Sequence, residues 1–296
     1  MQVDKKMRFS VIISTCNRAE ILKDAIQGIL KQGFVDYEII VSDDASADAT
    51  RHVVESLGSA GKIVYLFSDT KRGLSATRNR ALKSSRGEYI VLIDDDVILS
   101  INFLEILDRV ISSEKVNVLC PMLRDPLTSE SFVDLLDNKK RYLDLFDFNY
   151  FRGCAHIVSR DVIFNIGGYD ERFGIGAKYC AAEETDYFFR LKKSGKKILY
   201  YPDLVVYHKR QVETSSAKAF SYSYGISAML MKQILSDLWR AHFYIFIVGW
   251  RLMTSLIRTL QYELFPKTIE SKNKMYQYRY FLKGTIAGIV DYLRFR

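Results

Sequence analysis

The sequence predicts an α/β chain: a mostly parallel sheet flanked by helices, followed by a C-terminal helical extension. Three observations carry this. Short apolar runs alternate with helical patterns through the first 120 or so residues. Polar clusters sit at the ends of those runs, and the composition changes near residue 209. The 296 residues, 48% hydrophobic and 26% charged, are enough for one large globular domain with an appendage.

Taken in order, "FSVII" (Phe9–Ile13) reads as a buried strand. The pairs Ile21/Leu22, Ala25/Ile26 and Ile29/Leu30, four residues apart, give one face of a helix. "EIIVS" (Glu38–Ser42) is a second strand, with Ser46 the expected cap of the next helix. "IVYLF" (Ile63–Phe67), a helix near Leu74–Ser85, and "YIVLI" (Tyr89–Ile93) continue the alternation. Ser100 is the expected cap of a helix to Ser113, before the strand "VNVLC" (Val116–Cys120). Strands alternating with helices imply parallel pairing with both faces covered, and ligands then bind beyond the carboxyl ends of the strands. Ser14–Arg18, Asp43/Asp44 and Asp94–Asp96 all fall at such ends and would line one rim.

After Pro121 the alternation weakens. An acidic helical stretch (Ser131–Leu145) is expected, then the strand "CAHIVS", a glycine-rich loop "IGGYDERFGIGAK" and a helix "AAEETDYFFRLKKSG". Two short strands, "KILYY" and "LVVYH", follow, and the pattern beyond His208 is helical. The natural division is 1–210, an α/β domain, and 211–296, the extension.

Composition narrows the function. Cys16, Cys120, Cys154 and Cys180 are scattered without CxxC pairing, so neither a zinc site nor a disulfide framework is expected. The N-terminal apolar stretch is too short for a signal peptide. The most apolar window, Phe243–Trp250, ends at Arg251 after eight residues, against roughly 20 needed to span a bilayer. The net charge of +8 is uneven: residues 209–296 carry 14 Lys+Arg against 5 Asp+Glu, together with 16 aromatic residues. Basic residues beside Trp, Tyr and Phe suit an interfacial helix on an anionic membrane surface. A helical lid packed on the catalytic domain is the alternative, and the two are compatible. No nucleic-acid module accompanies the charge, and no nucleic acid is expected as a partner.

Three adjacent carboxylates after a buried strand repel one another and are costly to desolvate unless a cation compensates them. Asp94–Asp96 therefore suggest a bound cation, and an acidic loop that only begins the next helix is the alternative. A haloacid-dehalogenase-type phosphotransferase also uses carboxylates after an apolar strand. Its DxDx[TV] pattern fails here at Ile98, and its motif follows an early strand.

The segments "SVIISTCNR", "EIIVSDDASADAT", "GLSATRNRALKSSRGEYIVLIDDD", "IGGYDERF", "EETDYFFRLKKSGKKILYYP" and "VVYH" occur in this order. Together they resemble the inverting family 2 glycosyltransferases of the GT-A (Rossmann-like) fold, over residues 8 to about 210. Cys16 stands where tyrosine is common in that family, and Ala45 where glycine is common. The resemblance implies a nucleotide-sugar donor, expected to be a UDP-sugar, and a glycan or lipid-linked acceptor. It implies Mn²⁺ or Mg²⁺ held by Asp96 and by His208. Asp95 is expected towards the ribose or a metal-bound water, and Asp94 near the nucleoside. Ser14, Thr15, Asn17, Arg18, Asp44 and Arg78 are expected on the donor side, and Gly168, Tyr169, Asp170 and Glu171 on the acceptor side.

Inverting transfer is one displacement, so a carboxylate must take the acceptor hydroxyl's proton as it attacks. The family's "ED" pair reads Glu183–Glu184 here. Alignment puts Glu184 at the base position, with Glu183 about 100° away around the helix. A cytoplasmic enzyme, peripheral at the inner face of the cell membrane, is the expectation. An inactive nucleotide-sugar binding module is the alternative, separated from it by turnover.

Overall fold

The structure, a computed structural model, describes residues 7–58, 61–131, 139–208, 215–264 and 269–295. By contacts the chain divides into two compact units. The first is Met1–Tyr169 with Tyr187–Arg210, and the second is Asp170–Asp186 with Gln211–Arg296. The second unit thus also takes in a segment well before residue 211.

The first unit is built on one sheet. β1 (Phe9–Thr15), β2 (Tyr37–Asp44), β3 (Ile63–Ser68) and β4 (Tyr89–Asp94) are mutually parallel, in the order β3-β2-β1-β4. The crossovers are α1 (Ala19–Leu30), α2 (Thr50–Leu57) and α3 (Leu74–Ser84). β1, β2 and most of β4 are buried on both faces, which is why they read as unbroken apolar runs. α1 buries Leu22, Ala25, Ile26 and Ile29, the face set by its four-residue spacing. Leu22, Ile26 and Ile29 each contribute about 1.5–3 kcal/mol on burial.

The chain runs outward from β1 to β2 and β3, then returns to place β4 on the other side of β1. This makes β1/β4 the switch point, where parallel sheets open a crevice at the carboxyl ends of their strands. Beyond β4 the sheet is mixed. β8 (Ala155–Ser159) is antiparallel to β4 and to β6 (Val118–Arg124), and β6 is parallel to β9 (Leu199–His208). β5 (Val97–Leu99) and β7 (Arg141–Tyr142) pair antiparallel with β9. α4 (Phe103–Glu114) follows β5, and α5 (Arg160–Ile166) follows β8.

Several local expectations change. The two strands expected between 197 and 208 are one, because a bulge opposite Pro121/Met122 absorbs Pro202–Leu204. Ser46 does not cap α2: its hydroxyl accepts from the Asn17 N–H, and Asp48 binds the Thr50 N–H instead. α4 begins at Phe103 after Asn102 in the left-handed region, not at a Ser100 cap. Of the expected acidic helix Ser131–Leu145, residues 132–138 lie outside the described residues, and Arg141–Tyr142 is a strand.

The second unit is helical: the first turn of α6 (Glu183–Lys193), α7 (Ser216–Ser236), α8 (Ala241–Leu264) and α9 (Ile269–Arg294). α7 and α9 approach through small residues. Gly284 lies against Phe220 and Ser223, and Gly288 against Tyr224 and Ala228. The Tyr224 hydroxyl donates to the Asp291 carboxylate across the same seam. Helix Leu238–Gln261 is long and apolar enough to cross a membrane by length and composition, with mean hydropathy 1.3 and 22% of its most apolar window buried. The sequence expectation of a run ended by Arg251 changes here, because the helix continues through that residue.

Candidate active site

The three aspartates end β4 and begin a tight turn into β5. Two register relations decide what meets them. β1 pairs with β4 so that Ser14 faces Asp94, and one residue on the Thr15 hydroxyl donates to Asp95 Oδ2 at 2.8 Å. β5 pairs with β9 so that Val97 faces His208, bringing His208 Nε2 to 3.3 Å from Asp96 Oδ1. Residues 80 and 112 positions apart are thus joined by strand register, not by local sequence.

Arg18, after the β1 turn, closes the group. Its guanidinium donates to Asp95 Oδ1 at 2.6 Å and Asp96 Oδ2 at 2.8 Å. Arg78, only 2% exposed, donates to Asp94 Oδ1 and to the Gly153 carbonyl, both at 2.8 Å. Two arginines therefore compensate three carboxylates. Burial pushes the Asp95 carboxyl up to about 6, against the Thr15 hydrogen bond and the Arg18 charge. Burial acts on Asp96 in the same direction, but hydrogen bonds from His208 and Arg18 hold it well below the usual carboxylate range. Its hydrogen bond with Asp96 raises His208 in turn, against burial.

The donor set fits a hard divalent ion. Asp96 presents one buried oxygen to His208 while its other oxygen faces Arg18. Two ligands at roughly 2.1 Å from one ion lie about 3 Å apart, close to the 3.3 Å observed. No cluster of three or more His, Cys, Asp or Glu side chains suited to a metal exists among the described residues.

Other expected donor-side residues do structural work. Asp44 accepts from the Arg72 and Gly73 N–H groups at 2.8 and 2.9 Å, fixing the loop into α3. Asn17, at φ 55°, accepts from the Ala47 N–H at 2.7 Å. The buried Ser14 hydroxyl has no hydrogen-bond partner among the described residues. Cys16 lies beside the Asp44 carbonyl, its sulfur 3.2 Å away.

Gly168 and Tyr169, expected on the acceptor side, are clamped by Asn79. Its amide donates to the Tyr169 carbonyl at 2.9 Å and accepts from the Tyr169 N–H at 2.8 Å. A Cβ at Gly168 would collide with that amide. The Tyr169 ring lies under Arg78, 5.3 Å from the guanidinium. Its hydroxyl meets His156 Nε2 at 2.5 Å, and His156 Nδ1 faces the Arg152 carbonyl at 3.1 Å. The sequence reading passed over His156, which is fully buried on β8. Only its place as a polar residue within the apolar run "CAHIVS" marks it. Burial, with the Arg78 charge adding to it, lowers its pKa to about 3.

In the second unit, Asp170 is tied down. Arg172 donates to it at 3.0 and 2.7 Å, and Lys232 at 2.9 Å. Burial opposes these bonds, yet they hold the carboxyl well below its usual range. Asp170 is thus held in place by Arg172 and Lys232. Lys232 also donates to the fully buried Asp186 at 2.6 Å. Glu171 is exposed. Glu183 and Glu184 open α6, where acids are favoured by the helix dipole. Glu183 is buried and Glu184 half-buried. Just before them Cys180 and Ala182 hold φ of 37° and 74°, a strained approach of the kind that clusters at functional sites.

Comparison with known proteins agrees with this architecture. The GalNAc(5)-diNAcBac-PP-undecaprenol beta-1,3-glucosyltransferase of Campylobacter jejuni is 40% identical over 91 residues, 30% of this chain. The chain spans only 29% of that relative's length in the match. The mannosyltransferase PcManGT of Pyrobaculum calidifontis, solved with GDP-Man and Mn²⁺, superposes with a TM-score of 0.65 at 14% identity, over 97% of this chain and 88% of that one. S. aureus TarS 1–349, solved with UDP, gives 0.61 at 17% identity, over 98% and 92%. These two likenesses establish the GT-A fold. The sequence profile of Glycosyl transferase family 2 matches residues 10–166, more than half of the chain and the whole β1–α5 frame that carries Asp94–Asp96, so the chain belongs to that family.

Proposed function

We propose that the protein is a metal-dependent, inverting glycosyltransferase that moves a sugar from a UDP-sugar to a hydroxyl of a glycan or lipid-linked acceptor. The observation that carries this is the meeting of Asp96 and His208 beside the Thr15–Asp95–Arg18 cluster, at the switch point of a parallel sheet. The uridine nucleotide seen in TarS and the Mn²⁺ seen in PcManGT support donor class and cofactor by analogy.

On this reading Asp96 and His208 hold Mn²⁺ or Mg²⁺, which neutralises the charge that develops on the leaving diphosphate. Thr15 and Arg18 orient Asp95, whose raised pKa suits a hydrogen bond to the ribose. Ser14, with its unpartnered buried hydroxyl, faces the nucleoside. The acceptor hydroxyl attacks the anomeric carbon as the bond to the diphosphate breaks. The Glu184 carboxylate takes the hydroxyl proton, and the greater exposure of Glu184 favours it over Glu183. The basic, aromatic helical unit is proposed to hold the enzyme at the inner face of the cell membrane, near a lipid-linked acceptor.

The test is calorimetric titration of UDP and GDP with Mn²⁺ and then with EDTA, on wild type and Asp96→Asn. UDP binding that requires both the metal and Asp96 supports the reading. Binding indifferent to both overturns the metal site. Turnover of UDP-sugars then separates an enzyme from a binding module.

A further inference from the structure

Between α8 and α9, within the helical unit, lies a cavity of about 280 Å³. Arg251 and Arg258 line it, with Thr254, Ser255, Tyr278 and Phe281 around them and Trp250 beside them. No acidic side chain is among these lining residues.

Arg251 is the unusual member. Its Nε and one terminal nitrogen are buried and have no hydrogen-bond partner among the described residues, and its guanidinium lies 4.5 Å from the Phe281 ring centroid. Burial lowers its pKa to about 10, so it stays charged at neutral pH. A desolvated cation with idle donors is costly unless an anion meets it. Among the described residues, nothing in the cavity wall supplies one. The Thr254 and Ser255 hydroxyls are turned back onto α8 carbonyls at 2.8 and 2.7 Å. Arg258 donates to the Tyr278 hydroxyl at 2.7 Å through one of its nitrogens. The charged donors facing the cavity are thus those of two guanidinium groups, and guanidinium forks match phosphate oxygens.

We propose that this cavity binds a phosphate group, with Arg251 and Arg258 as its ligands, and that the phosphate belongs to the headgroup of an anionic lipid. The lipid source follows from what surrounds the cavity. Phe246, Trp250, Met253, Ile257 and Leu260 repeat at helical spacing along α8 and are all 45–59% exposed. Trp250 belongs to both the stripe and the cavity wall. A buried cation beside an exposed apolar stripe containing Trp suits the boundary between headgroups and acyl chains. The choice of source rests on the membrane reading above; the phosphate site itself does not.

The test uses the full chain, with two ligands. Co-sedimentation is measured on phosphatidylcholine vesicles and on equimolar phosphatidylcholine–phosphatidylglycerol vesicles. Melting is followed with inorganic phosphate in EDTA. Arg251→Gln is expected to weaken phosphatidylglycerol-dependent binding about tenfold. Arg294→Gln, the same charge change at the exposed end of α9, is expected to cost clearly less. Inorganic phosphate is expected to raise the wild-type Tm but not that of Arg251→Gln. Equal losses in the two variants, with melting unmoved by phosphate, overturn the site and leave only diffuse attraction to the membrane. Phosphate-dependent melting that needs Arg251, without vesicle binding, keeps the site, assigns it a soluble phosphate, and overturns the membrane reading. Should Arg251→Gln fail to fold, Arg258→Gln and the wild-type phosphate titration decide in the same way.

Discussion

Ala45 illustrates how single residues carry the marks of this site. It stands at φ 60°, the left-handed region that costs most L-residues roughly 1–2 kcal/mol and glycine nothing. Glycine is common there in the family, so the departure visible in the sequence is a backbone penalty in the structure. At Glu184 the consequence is chemical. Glu184→Gln is expected to lower kcat by about 10²–10⁴ while leaving UDP binding unchanged. The same change at the buried Glu183 should cost kcat less, and steady-state kinetics beside calorimetry check both. His156 has a stability consequence. Its folded pKa of about 3 lies below the ordinary value near 6.5, so the unfolded chain takes up a proton that the folded one refuses. Stability from this residue is present above about pH 6.5 and is lost as pH falls towards 3, at up to about 1.4 kcal/mol per pH unit. Urea midpoints should therefore fall more steeply from about pH 7 to about pH 5 in wild type than in His156→Phe.

At the scale of elements, strand register does what the motifs alone do not. The apolar density of β1, β2 and β4 and the helical spacing in α1 were legible, since those runs are buried on both faces or on one stripe. The merger of two expected strands into β9 was not, because Pro202 and Asp203 read as a break while a bulge carries the strand past them. Ser46 read as a cap by residue type alone, yet the nearby Asn17 amide claimed its hydroxyl. In the helical unit, the approach of α7 to α9 depends on glycine. Gly288 leaves no room for a Cβ against the Tyr224 carbonyl and the Ala228 amide. Gly288→Val is expected to destabilise that unit by about 1–3 kcal/mol, seen as a lowered melting transition.

At the scale of the whole molecule, charge is divided by sequence position. Residues 1–208 are nearly balanced, with 29 basic and 30 acidic side chains, whereas 209–296 carry an excess of nine positive charges. If the extension serves a membrane surface, its attraction must be screened by salt. Binding to phosphatidylglycerol vesicles should fall sharply between roughly 0.01 and 0.15 M ionic strength, as the Debye length shortens from about 30 to about 8 Å. Co-sedimentation at the two salt concentrations checks this. Persistence at the higher concentration would point to the apolar face of α8 as the main contact. The family match and the fold agree over β1–α5, whereas the extension lies outside the matched residues.

The sequence alone determined the alternation that makes an α/β sheet, the carboxylate cluster after β4, and the basic, aromatic character of the extension. These are properties of neighbouring residues, and periodicity and composition record them directly. Tertiary structure decided that Thr15 and Arg18 hold Asp95 and that Asn79 and His156 clamp Tyr169, and strand register brings together Asp96 and His208, which the family resemblance had paired. Tertiary structure also decided that Arg172 and Lys232 hold Asp170, and that two Arg251 nitrogens are buried without a hydrogen-bond partner among the described residues. Those outcomes depend on which strands pair, in what register, and on which helices pack. Such long-range pairings are set by the packing of the whole core, so no local stretch of sequence encodes them.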